Sequence, residues 1–120
     1  MSIKDLKNSN FVLNADETIG EAMLRITENK RGSIAVVDEQ FKLCGVASDG
    51  DIRRALLEGS TKLTPVSQII NTSPTIISKK GESNGSKSDK IFEKEGNINI
   101  IPVVDGDNKL IEIVVRNPDE

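Results

Sequence analysis

The sequence contains no histidine, no tryptophan and no tyrosine, and a single cysteine, Cys44. Without histidine, the commonest general base and the commonest metal ligand are both missing. The acidic residues show no spacing of the kind that paired-carboxylate catalysis uses. A stand-alone enzyme is therefore disfavoured and no metal is expected. One cysteine excludes a disulfide within the chain and suits a reducing, cytoplasmic setting. Cys44 alternates with apolar strand neighbours, which reads as a packed thiol rather than a reactive one. Aromatic residues make up only 2% of the chain, so no stacking platform for nucleic acid is available. A net charge of −3 with scattered basic residues also speaks against a nucleic-acid partner. No apolar run reaches membrane-spanning length, and the opening MSIKDLKNSN lacks the apolar core of a signal peptide, so no membrane partner is expected.

What is present is aliphatic. The 120 residues are 36% hydrophobic, drawn chiefly from Ile, Val, Leu and Ala, which suits short strands with helices packed on them. Met1 to Asn10 is a polar lead-in, and Phe11-Val12-Leu13 reads as a short strand. Asn14 to Thr18 reads as a turn and helix start, with Asp16 or Thr18 available as the cap. Ile19, Ala22, Met23 and Ile26 follow at helical spacing, and the helix stops near Lys30-Arg31-Gly32, where Gly supplies the break. Ser33 to Val37 is a buried strand, Asp38 to Lys42 a hairpin-like turn, and Leu43 to Ala47 a second strand. Ser48-Asp49-Gly50-Asp51 opens a helix carrying Ile52, Ala55, Leu56 and Leu57, which Gly59 ends.

The second half runs similarly. Val66 to Ile70 is a short helix or turn, and Ser73-Pro74 marks a boundary. Thr75 to Ser78 is a strand, and Lys79 to Ser88 a polar loop leading to a helix near Asp89 to Glu95. Ile98 to Val104 is a strand with Pro102 at its edge, Asp105 to Lys109 a turn, and Leu110 to Val115 a final strand. The stretch Gly81 to Ser88 approaches a phosphate-binding loop in composition. It has Ser86 where that loop needs glycine, and Lys79-Lys80 where a buried strand should precede, so it reads as a flexible loop.

An offset of 67 positions lays the first half on the second. Val36-Val37-Asp38 falls on Val103-Val104-Asp105, Lys42-Leu43 on Lys109-Leu110, and Val46 on Ile113. The preceding helices match less well and are slipped by a residue or so. Repeats this small do not bury their apolar faces alone, so the two units are expected to pack together around a pseudo-two-fold axis.

These features resemble the CBS-domain family over about Phe11 to Val115. The local signature is Gly45-Val46-Ala47-Ser48-Asp49-Gly50-Asp51, which is similar to the family's ligand pattern of glycine, hydrophobic, any, Ser or Thr, any, any, Asp. The resemblance implies an α/β fold of two β-α-β-β-α CBS repeats with pseudo-two-fold symmetry: residues 1–64 as the first and 65–120 as a degenerate second, truncated at its C-terminal helix. It implies a regulatory adenine-nucleotide ligand, AMP, ADP or ATP, or in some members S-adenosylmethionine, in the cleft between repeats. Gly45 would let a backbone pass close to that ligand. Asp51 suits the ribose diol, and Ser48 would assist at ribose or phosphate. Phosphate would lie near the helix N-terminus, with Arg53 or Arg31 adding charge. Adenine would slot between apolar strand residues, with the backbone at Ser33 and Ile34 reading its edge, and Val46 of the signature belongs to the same expected site. The same Ser48-x-x-Asp51 spacing is also a capping box that closes a helix without any ligand.

At the offset of 67, Glu112 replaces Gly45, Val115 replaces Ser48 and Pro118 replaces Asp51, so one competent site is expected, not two. The ending Val114-Val115-Arg116-Asn117-Pro118 resembles the junction in sugar-nucleotide pyrophosphorylases, which carry such a pair ahead of a nucleotidyltransferase domain. The expected partners are the nucleotide, an attached or separate enzyme, and a second copy in a homodimer. The alternative is a ligand-free module that only dimerises.

Overall fold

The computed structural model describes residues 2–78 and 85–117. The chain forms β1 (Ser2–Ile3), β2 (Val12–Asn14), α1 (Ile19–Asn29), β3 (Ser33–Val37), β4 (Leu43–Ser48) and α2 (Asp49–Leu57). A 3-10 turn follows at Val66–Gln68, then β5 (Ile77–Ser78), α3 (Gly85–Lys94), β6 (Ile100–Val104) and β7 (Leu110–Val115). The strands make two sheets, ordered β2-β3-β4 and β1-β7-β6-β5. The first unit is β-α-β-β-α; the second lacks the closing helix among its described residues, which end at Asn117.

The internal repeat is visible in the backbone, down to its irregularities. β3 and β4 pair antiparallel from Ser33↔Ser48 to Val36↔Gly45, then shift register to Val37↔Leu43. β6 and β7 do the same from Ile100↔Val115 to Val103↔Glu112, then Val104↔Leu110. In both turns an aspartate closes the loop: Asp38 Oδ1 accepts from the Gln40 and Lys42 amides, and Asp105 Oδ1 from those of Asp107 and Lys109. Such Asx turns tolerate a left-handed residue, here Phe41 and Asn108, with φ of 64° and 65°. The two hairpins then meet. The Leu43 amide donates to the Asn108 carbonyl at 3.0 Å, and the Leu110 amide to the Phe41 carbonyl at 2.9 Å. Lys42 bridges Lys109 between these bonds, so the pseudo-two-fold axis passes there.

Three apolar clusters follow from this arrangement. One lies inside the first repeat, where Ile19, Ala22 and Ile26 of α1 meet Ile34 and Val36 of β3, Ile52 and Ala55 of α2, and Val66. One lies inside the second, around Phe92, Ile101 and Val103. The third joins the two: Leu6, Phe11, Val12, Ala35 and Val37 pack on Ile100, Leu110, Ile113 and Val115. Side-chain alternation explains the division, since neighbouring strand residues point to opposite faces. On β3, Ile34 and Val36 face the helices while Ala35 and Val37 face the other repeat.

The local detail differs from expectation in four places. The polar lead-in contributes β1, which pairs with β7 of the second repeat rather than with the first. The left-handed residue that ends α1 is Lys30, with φ of 60°, so the break comes before Gly32. Helix α3 starts at Gly85, four residues ahead of Asp89, so the end of the expected loop is helical; residues 79–84 of that loop lie outside the described residues. Pro102 lies in β6, an interior strand flanked by β7 and β5. Proline brings no N–H to a ladder. Its counterpart Ala35 donates to the Phe11 carbonyl at 2.8 Å. Without that donor, β5 pairs only Ile77 and Ser78, opposite Val103 and Val104.

Candidate functional site

β4 ends where α2 begins, and Ser48 belongs to both. Its extended backbone makes it the N-cap, and its Oγ accepts from the Asp51 amide at 3.2 Å. Asp51 Oδ2 accepts in return from the Ser48 amide at 3.1 Å, which completes a capping box. The other carboxylate oxygen, Oδ1, accepts from Arg54 Nη2 at 2.7 Å. The Ser33↔Ser48 register brings the start of β3 beside this junction. Ser33 is held there by Asn29, whose buried amide donates to the Ser33 carbonyl at 3.0 Å and also to the Asn10 carbonyl.

A cleft of about 410 Å³ opens at this junction, between the two repeats. The first repeat lines it with Ser33, Val46, Ser48, Asp51 and Arg54. The connecting segment adds Asn71, Ser73, Pro74 and Thr75, and the second repeat adds Glu95, Asn97, Ile98, Asn99 and Ile100. The segment is docked by a reciprocal backbone pair: the Val46 amide donates to the Asn71 carbonyl at 3.1 Å, and the Asn71 amide to the Val46 carbonyl at 2.9 Å. On the far wall Thr75 Oγ1 donates to the Glu95 carboxylate at 3.3 and 3.4 Å, which fixes that charge in place.

Of the residues singled out in the sequence, Ser33, Val46, Ser48 and Asp51 line this cleft; Gly45, Ile34, Arg31 and Arg53 are not among the lining residues. Gly45 is buried in mid-strand, opposite Val36. A Cβ built there would run into the Asn71 carbonyl oxygen, so the backbone that needs this glycine is the connecting segment's own. Ile34 is fully buried in the first repeat's core. Arg31 ties the repeats together: its Nε donates to the Arg116 carbonyl at 3.1 Å, and its carbonyl accepts from Asn99 Nδ2 at 2.9 Å. Arg53 and Arg54 are both exposed, but of the two only Arg54 lines the cleft.

The residues that escaped the sequence reading are Arg54, Asn71, Thr75, Glu95, Asn97 and Asn99. Arg54 carried a legible signal, standing three residues after Asp51 on the same helical face. In the second repeat, Glu112 is half-buried on β7, Val115 is 1% exposed, and Pro118 lies outside the described residues. No hydroxyl stands at the β7 position that matches Ser48. Groups of three or more Cys, Asp and Glu able to hold a metal ion do not occur among the described residues, and none of their helices is long and apolar enough to cross a membrane.

Residues 3–58 match the family model of the CBS domain. Over 93 residues the chain is 36% identical to the arabinose 5-phosphate isomerase GutQ of Salmonella typhi, covering 78% of this chain and 28% of that one. The chain thus spans little more than a quarter of the curated relatives it matches. A CBS domain pair/ACT domain protein of Thermotoga maritima superposes with a TM-score of 0.73 at 18% identity, covering 94% of this chain and 84% of that one. CBSX2, solved in complex with AMP, superposes with a TM-score of 0.70 at 24% identity, covering 92% and 83%. At these identities the two structures establish the fold.

Proposed function

Because the chain is a CBS-domain protein with the fold of a CBS-domain pair, we propose that it is a non-catalytic regulatory module that takes an adenine nucleotide in the cleft between its repeats. The carrying observation is the convergence on one 410 Å³ cleft of Ser33, Val46, Ser48 and Asp51, with polar groups from the other repeat opposite. The Asp51 carboxylate would accept the ribose hydroxyls, Ser48 would assist, and the adenine would lie against Val46, Ile98 and Ile100. CBSX2, which shares the fold, holds AMP. A ligand gripped by both repeats biases their relative pose, and acts on a partner only through unequal affinity for two poses.

The regulated partner is an attached or separate enzyme of sugar-phosphate chemistry. The sequence pointed to a nucleotidyltransferase, whereas the curated relatives include sugar-phosphate isomerases, which makes an isomerase domain the better-supported partner. A homodimer is part of the same proposal: Leu24 on α1 is 65% exposed and Leu57 on α2 is 82% exposed, and both helices cover the first repeat.

Thermal stability measured against AMP, ADP, ATP, S-adenosylmethionine and GTP tests the reading. A ligand that binds only the folded state adds about 2.7 kcal/mol at a hundredfold excess over its Kd. A midpoint rise with an adenosine ligand, lost in Asp51→Ala, is the expected outcome. No rise with any of them at millimolar concentration would leave Ser48 and Asp51 as a helix cap in an oligomerising module.

A further inference from the structure

Resting on the nucleotide reading, we infer that Arg54 is a movable counter-ion: the ribose displaces it from Asp51, it then takes the first phosphate, and the cleft thereby prefers one phosphate to three. Three observations carry this. First, the Asp51 oxygen that does not close the capping box is the one Arg54 holds at 2.7 Å, so a diol arriving at Asp51 meets Arg54 there. Second, the Arg54 side chain is 68% exposed while Asp51 is 23% exposed, so the pair is a solvent-screened one that exchanges readily. The guanidinium is folded back over the first turn of α2: a Cβ on Gly50 would lie 3.4 Å from Arg54 Nη1. A short swing leaves it at the helix N-terminus, where free amides already favour an anion. Third, Arg54 is the sole cation among the described residues lining the cleft, which also holds the carboxylates of Asp51 and Glu95. Glu95 accepts from Thr75 Oγ1, which favours keeping its carboxylate on the cleft wall. One phosphate finds a cation; among the described lining residues the second and third find no further cation, only neutral amides and hydroxyls beside the two carboxylates, and like charges in a shared site repel.

Calorimetric titration of the full chain with adenosine, AMP, ADP and ATP separates the possibilities. Affinity should fall from AMP to ATP, and the Glu95→Gln variant should narrow that gap. In Arg54→Met, AMP should weaken by roughly 10–100-fold, the scale of a charged hydrogen bond, while adenosine holds or tightens because its rival for Asp51 is gone. Tighter ATP than AMP in the native chain overturns the inference, as does an equal loss of adenosine and AMP in Arg54→Met with an unchanged melting point. If none of the four binds the native chain, the nucleotide reading itself fails and takes this one with it.

Discussion

Gly45 shows how a single residue can carry two plausible meanings. In the sequence it belongs to a ligand signature; in the structure it makes room for the Asn71 carbonyl. Gly45→Ala should therefore destabilise the protein by about 1–3 kcal/mol, the cost of forcing an extra carbon into a filled space. Urea unfolding at constant ligand reads this directly, and an unchanged midpoint would mean that the connecting segment yields. Asp105 offers a second test. The Lys109 and Asp107 amides that it accepts hold its carboxyl below the ordinary value. A group lowered in the folded state contributes stability above its unfolded pKa and loses it as pH falls through the folded one. Asp105→Asn keeps the turn's acceptor but not the charge. Its melting point should lie below the native one near neutrality, and the gap should close as pH drops below about 4. A gap independent of pH would show that the charge is irrelevant. Ser48 and Asp51 were legible because cap and ligand signature share one local spacing. Arg31 and Arg53 do not line the cleft and Arg54 does, because the trajectory of α2, which no local spacing reveals, decides which arginine faces it.

At the level of elements, short-range chemistry was legible and pairing was not. The start of α2 follows from Ser48 and Asp51 alone, and the hairpins from Asp38 and Asp105 in their turns. β1 was missed because two residues carry no periodicity; its register with Ile113 and Val114 is set by a strand more than a hundred positions away. The start of α3 was missed because the glycine and serines there argue for a loop. Ser48→Ala isolates the cap from the site. It should cost about 0.5–2 kcal/mol without ligand, and Ser48→Asn, which can still cap, should recover most of it. If Asn restores stability but not the nucleotide-induced rise in melting point, Ser48 serves both cap and ligand; full recovery of both would reduce it to a cap.

For the molecule as a whole, the question is whether the two repeats are separable. The division of the sequence into residues 1–64 and 65–120 puts the join at residue 64. The structure ties the halves across that join at several points. The middle cluster needs Val37 and Phe11 from one side and Ile113 and Leu110 from the other. Val66, beyond the join, is fully buried in the first repeat's core, and β1, ahead of it, is paired in the second repeat's sheet. A chain cut at residue 64 would expose all of these. Each large aliphatic side chain so exposed forfeits about 1.5–3 kcal/mol, against a total stability of about 5–15 kcal/mol for a domain. Residues 1–64 alone should therefore show no sharp unfolding transition at micromolar concentration, while the full chain unfolds in one step by both far-ultraviolet circular dichroism and amide exchange. Mixing the fragment with residues 65–120 should restore a transition that sharpens as concentration rises. A fragment that melts cooperatively by itself would mean that the shared cluster is dispensable. Movement of one repeat against the other would then be cheap. Without such independence, a nucleotide of the proposed kind would act on a single cooperative body, and its signal would reach a partner as a small change of pose rather than as an unfolding of either half.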